Sequence, residues 1–193
     1  MHFLINSVIS TTLDVSVIDS LLIGVIAFLP FLPFVRKRSI KAKLWLLSVL
    51  VYSSFLLFLT IPIVLSPYPD GFANKFAFVV SDILWNPIDS IGGVASLSDF
   101  VRLIIGNFCL LMPVAFLSLT RNPRRSLRHF SVIPLSISLT IEILQFVGNV
   151  LIGYSNRTVE AFDVILNVSG AVLSFWITKL IIKSQSSRKE APQ

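Results

Sequence analysis

The 193-residue chain is 54% hydrophobic and only 13% charged, with a mean hydropathy of +0.84. A soluble domain carries roughly 25% charged residues, so an ordinary soluble fold is excluded. The net charge of +6 does not point to nucleic acid, because the basic residues cluster in short loops between apolar runs, as in the cytoplasmic loops of membrane proteins. A membrane helix takes about 20 apolar residues, which leaves no room for a sizeable soluble catalytic domain. Sixteen Phe and only 8 Gly, without alternating polar positions, argue against a β-barrel. The expected fold is all-α: a polytopic transmembrane helical bundle of about five spans.

Residues 1–16 are expected to form a short extracytoplasmic segment. The first apolar stretch, Val17 to Val35, is preceded by no Lys or Arg, carries Asp19 and is followed by no A-x-A-like site. It reads as a retained helix rather than a signal peptide, with Pro30 and Pro33 near its end. Leu44 to Leu65 forms the second span and completes a hairpin over residues 17–65. The loop over 66–100 opens with Pro67, Pro69 and Gly71. Phe72, Phe76, Val79 or Val80, and Ile83 then recur at helical spacing. That spacing predicts a short helix, either lying in the interface with Trp85 as an anchor or packed on the bundle. A three-helix core over 101–183 follows, with spans at Val101 to Thr120, Phe130 to Ile152 and Asp163 to Ile182. The polar composition of 184–193 predicts a disordered tail.

Thirteen basic residues fall on one side of this arrangement: Arg36, Lys37, Arg38, Lys41 and Lys43, Arg121, Arg124, Arg125 and Arg128, then Lys179, Lys183, Arg188 and Lys189. Only Lys75, Arg102 and Arg157 fall on the other. The positive-inside rule therefore predicts an extracytoplasmic N-terminus and a cytoplasmic C-terminus. Cys109 can form no intrachain disulfide, and no Cys or His pair has metal-ligand spacing, so neither metal nor cofactor is expected.

Chemistry is sought among polar residues placed where a bilayer makes them costly. A carboxylate near the centre of a span costs ~2.5–3.5 kcal/mol on insertion scales. Glu142 is such a residue, about 18 Å along its helix from Phe130. Ser138, Glu142, Gln145 and Asn149 share one helical face through spacings of four, three and four. Asp163, Asn167, Gly170 and Ser174 repeat the pattern on the last span. With Asn107 and Arg157, these groups are expected to converge on one pocket open to the outer leaflet. Glu142 is the candidate catalytic residue; Asn107, Gln145, Arg157, Asp163 and Asn167 are the candidate binding residues.

Asn107 followed by Pro113, then Ile141-Glu142-Ile143-Leu144-Gln145, Arg157, Asp163, Asn167 and Gly170, resembles the framework of the VanZ-like family of bacterial membrane proteins. The resemblance covers about residues 86 to 182, with Asn86-Pro87 and Ile91 as a weaker echo. Its specificity lies in the order and spacing across three helices, since Glu-x-x-Gln alone is common. The chain departs from the pattern in helix five, where Val168-Ser169 follows Asn167 and Ser174 stands where a small residue, often Gly, is usual. The family is named for a teicoplanin-resistance protein. The resemblance thus implies a multi-pass protein of the bacterial plasma membrane that alters glycopeptide susceptibility, with membrane lipids, a lipid-linked cell-wall precursor or a lipoglycopeptide as partner. It supplies no mechanism.

Other readings stand beside this one. Glu142 and Gln145 could be a structural interhelical pair. Arg157 with Asp163 could be an interfacial ion pair, and Arg102 is expected to snorkel to the interface. Gly170 and Ser174 read as a close-packing surface. As function classes, a lipid-headgroup enzyme with Glu142 as general acid or base, and a small transporter with Glu142 as proton carrier, remain as alternatives. No catalytic triad supports the first, and no internal repeat supports the second.

Overall fold

The computed structural model describes residues 17–60, 72–92, 94, 96–152 and 158–190. Among these, the secondary structure is helical apart from one isolated parallel bridge, Leu84 with Glu160. Four stretches are long and apolar enough to cross a membrane: Ile40–Leu57, Leu97–Arg121, Leu127–Leu151 and Ala161–Ser187. Much of their surface faces outward with large apolar side chains, including Leu139, Ile143, Leu173, Ile177 and Leu180. In water such a surface would drive association; in a bilayer it is the surface that lipid covers. The chain divides into two compact units, Met1–Ile83 with Ile143–Val159, and Leu84–Glu142 with Glu160–Gln193.

In the first unit, α1 (Val17–Phe28) packs along α3 (Ile40–Thr60). The approach is backbone to backbone: a Cβ on Gly24 would lie 2.5 Å from the Cα of Val51. Between them the first apolar stretch is broken into a 3-10 turn, Leu29–Phe31, and the short helix α2 (Leu32–Val35). Pro30 and Pro33 each sit at the start of one of these pieces, where a missing N–H breaks no helical bond. Ser39 opens α3, its hydroxyl accepting the Ala42 amide at 3.4 Å. Residues 61–71, which hold the expected end of the second span and Pro67, Pro69 and Gly71, lie outside the described residues, as do the N-terminal 1–16.

The short helix anticipated after that loop is α4 (Phe72–Ser81). Its Val79 is buried, and its Phe76 ring meets Phe146 edge-on at 5.9 Å. Trp85, beyond the helix, is exposed.

The second unit opens with α5 (Pro87–Gly92) and α6 (Leu97–Asp99). Ser96 caps α6, its hydroxyl oxygen accepting the Asp99 amide at 3.1 Å. The third span is not one regular helix. It runs as a π-helix over Phe100–Gly106, then α7 (Asn107–Leu110), a break at Leu111 with φ −99° and ψ 6°, and α8 (Met112–Arg121). Pro113 accounts for the break, since it has no N–H to continue the ladder and its ring crowds the preceding turn.

The fourth span is α9 (Leu127–Ile152), which passes through Pro134 without ending and whose part up to Glu142 belongs to this unit. The fifth is α10 (Ala161–Glu190), packed along α7 and α8. The tail anticipated from Ser184 is instead helix as far as Glu190. Its polar residues are compatible with this: the Ser186 and Ser187 hydroxyls donate to the Ile182 and Lys183 carbonyls at 3.2 Å, and Gln, Arg, Lys and Glu are good helix formers.

A Cβ on Gly170 would overlap the Phe108 carbonyl group, and Ser174 donates its hydroxyl to the Met112 carbonyl at 2.9 Å. The Gly170–Ser174 pair is therefore the close-packing surface its spacing suggested, set against the irregular stretch of the third span. Below it, Phe130 of α9 stacks on Phe175 of α10 at 4.9 Å between centroids.

A candidate polar site between α9 and α10

The polar stripe of α9 is buried throughout: Ser138, Glu142, Gln145 and Asn149 all face away from the surroundings. Helical periodicity put them on one face, and that face is the packed one. On α10, Asn167 is 1% exposed and Asp163 half-buried.

Two hydrogen bonds tie these helices together within the second unit. Asn167 donates its Nδ2 to the Ser138 hydroxyl at 2.9 Å. The Glu142 carboxylate, through Oε2, accepts the backbone amide of Glu160 at 3.1 Å. Glu160 immediately precedes α10, so Glu142 holds the positive end of a 30-residue helix dipole. A carboxylate costly in lipid thereby gains an amide partner and a favourable field. Glu160 is fixed from its other side as well, by its bridge to Leu84 and by the Ala161 amide donating to the Leu84 carbonyl at 3.1 Å.

The register of the two helices places the remaining acid. α9 and α10 run antiparallel, with Phe130 matched to Phe175 and Ser138 to Asn167, so each step along one is answered by an equal step back along the other. Asp163 lies one turn before Asn167 on α10, as Glu142 lies one turn after Ser138 on α9. Asp163 is the third residue of α10, where negative charge is favoured by the helix dipole. Its own amide donates to the Glu160 carbonyl at 3.2 Å. Asp163 thus lies in the first turn of the helix whose preceding amide Glu142 accepts.

Asn107 is half-buried at the junction of the π-helix with α7. Its neighbour Phe108 meets Gly170, which lies one turn along α10 from Asn167. Gln145 is buried one turn on from Glu142 along α9. Arg157 lies outside the described residues. Arg102 is exposed.

Among the described residues of the second unit, Oδ1 of Asn167 and the hydroxyl oxygen of Ser90 on α5 are buried with no hydrogen-bond partner. Among the described residues, no group of three or more His, Cys, Asp or Glu side chains is arranged to hold a metal ion.

Sequence reasoning missed Glu160 and Leu84, whose contributions are backbone groups with no side-chain signature. Ser138 stood in the polar stripe, yet nothing in its spacing distinguished it from a serine bonded within its own helix, as Ser131 is to Leu127 at 2.9 Å.

No curated protein and no solved structure matches the chain. The VanZ/LLP1 family model matches residues 44–182, from α3 almost to the end of α10. The match reaches further toward the N-terminus than the motif-bearing helices and takes in every polar residue of the α9–α10 rungs. With helices fit to span a membrane and a family model covering most of its length, this multi-pass membrane protein belongs to the VanZ/LLP1 family.

Proposed function

We propose that the protein acts in the bacterial plasma membrane, N-terminus out and C-terminus in, and lowers susceptibility to glycopeptide antibiotics of the teicoplanin type. On this reading the polar rungs of α9 and α10 open toward the outer leaflet. They meet a phosphate-bearing envelope lipid, a lipid-linked wall precursor, or a lipoglycopeptide inserted from outside. The observation that carries the proposal is the Glu142 carboxylate bound to the Glu160 amide beside the Ser138–Asn167 rung. The antibiotic class is what the resemblance to the VanZ-like family implies. Arginine suits phosphate, because its planar donors can bind two oxygens at once; Arg157, which precedes α10 in the chain, is the candidate for that role on sequence grounds.

The enzyme and proton-carrier readings rank lower, because Glu142 has a structural task that explains its burial. The test is expression in a susceptible bacterium. Tolerance to an acylated glycopeptide is expected to rise more than tolerance to one without the acyl chain, and Arg157→Ala is expected to remove the difference. Equal protection against both drugs would defeat lipid-side recognition.

A further inference from the structure

The end of the second unit where α8 gives way to α9 gathers positive charge that its own helices do not balance. Arg124 and Arg125 lie in the link between α8 and α9, and Arg128 follows on α9. Lys179 of α10 joins this group: its Nζ donates to the Pro123 carbonyl of the link at 2.7 Å. Because Arg124 and Arg125 follow Pro123 directly, that bond sets them beside Lys179, with Lys183 one turn further along α10. Arg125 is half-buried and donates to the Ser118 hydroxyl at 2.8 Å, whereas Arg124, Arg128 and Lys183 are exposed. The chain has no acidic residue from 100 through 141 or from 164 through 189, and Glu190 follows directly on Arg188 and Lys189. Glu142 lies ~21 Å along α9 from Arg128, and Asp163 ~24 Å along α10 from Lys179, so neither carboxylate reaches the cluster. Like charges held this close repel, and an anion from outside the unit relieves them.

The surroundings of the cluster identify the carrier of that anion. The link joins two stretches long and apolar enough to cross a membrane, which keeps its arginines at the ends of the spans. On α10, Leu173, Trp176, Leu180 and Lys183 are spaced by three, four and three and form one exposed face. Trp176 is ~4.5 Å before Lys179 along the axis, and tryptophan is enriched at the level of lipid headgroups. The face thus passes from apolar side chains through an indole to ammonium groups, as a phospholipid passes from chain to headgroup. We propose that it binds a net-anionic phospholipid of the adjoining leaflet, with the phosphate among Lys179, Lys183 and the arginines of the link, and an acyl chain along Leu173, Trp176 and Leu180. Basic clusters between membrane helices suit such headgroups, and arginine donors bind two phosphate oxygens at once. A zwitterionic headgroup brings its own cation and forfeits the attraction. A soluble phosphate leaves the apolar face uncovered. Lys179 lies ~18 Å along α10 from Asn167, so this site is separate from the polar rungs and stands whatever they bind.

The test immobilises the full-length protein in detergent with equal amounts of phosphatidylglycerol and phosphatidylcholine of identical acyl chains, and counts retained lipid by mass spectrometry after washing. Phosphatidylglycerol should be retained about tenfold over phosphatidylcholine, and Arg124→Gln with Lys183→Gln should lower that ratio at least about fivefold, the effect of one cation near the surface. Phosphatidylcholine retention should stay as it was, which separates lost recognition from lost folding. Arg124→Lys with Lys183→Arg keeps the charge and should keep the ratio. Arg36→Gln with Lys37→Gln takes the same charge from exposed positions in the first unit and should leave the ratio unchanged. Equal retention of the two lipids by the wild type overturns the proposal, as does a ratio that survives Arg124→Gln with Lys183→Gln. An equal fall in both glutamine pairs overturns it too, because the preference then follows total charge. A wash with inorganic phosphate should displace no more phosphatidylglycerol than sodium chloride of the same ionic strength; greater displacement assigns the cluster to a soluble phosphate and overturns the lipid.

Discussion

Glu142 separates chemical from structural roles because its two obvious substitutions divide them. Glu142→Gln keeps an oxygen able to accept the Glu160 amide, so the protein should insert and accumulate as the wild type does. If the carboxylate is what the ligand meets, glycopeptide tolerance should fall to that of the empty-vector strain. Unchanged tolerance would leave Glu142 as a cap on α10. Glu142→Leu also strands the Glu160 amide and should cost about 1–3 kcal/mol, read as a lower unfolding midpoint in detergent. Ser138→Ala takes away the acceptor of Asn167 Nδ2; interhelical bonds of this kind are worth about 0.6 kcal/mol on average, so a small downward shift is expected. At this scale the sequence is informative about side chains and silent about backbone. Two four-three-four stripes mark the buried faces of α9 and α10, whereas the amide of Glu160 and the carbonyl of Leu84 carry no residue-type signal.

Individual helices show a comparable division. Long apolar runs with uniform composition became α3, α9 and α10, and the period of Phe72, Phe76 and Val79 became α4. The third span was harder to read. Its composition is that of an ordinary membrane helix, and only Pro113 hints that the ladder breaks, while nothing in Phe100–Gly106 announces a π-helix. Such irregularity depends on what the neighbouring helix offers in exchange, which here is the smallness of Gly170 and the hydroxyl of Ser174. Gly170→Ala should therefore push α10 off α7 and destabilise the fold by about 1–3 kcal/mol. Gly148→Ala on α9 meets nothing within 4 Å and should be neutral or stabilising by up to about 1 kcal/mol through helix propensity. Thermal unfolding of the two variants side by side checks both signs.

For the molecule as a whole, hydropathy leads to the all-helical membrane class, and the described helices agree. The number of crossings is less directly readable, because the first apolar run is divided at Pro30 and Pro33 into pieces each too short to span alone. Orientation rests on the thirteen-to-three distribution of basic residues. In a Cys109→Ser background, needed because Cys109 is exposed, single cysteines at Ser126 and Ser155 should differ in reaction with an impermeant thiol reagent on intact cells. Labelling is expected at position 155 and protection at 126; the reverse pattern would invert the topology.

The break at Leu111 has a mechanical consequence for the third span. On its α8 side α10 supplies polar attachments: Lys179 donates to the Pro123 carbonyl at 2.7 Å, and Ser174 donates to the Met112 carbonyl at 2.9 Å. On its α7 side the approach is backbone to backbone, Phe108 against Gly170. A helix interrupted between two packed segments can bend at the interruption, so any parting of α7 from α10 would begin beside Asn107 and stop at Leu111. Hydrogen exchange in lipid nanodiscs should accordingly find the amides of Phe108–Leu110 exchanging ahead of those of Ala115–Leu119, and Ser174→Ala should extend the faster exchange past Met112 into α8.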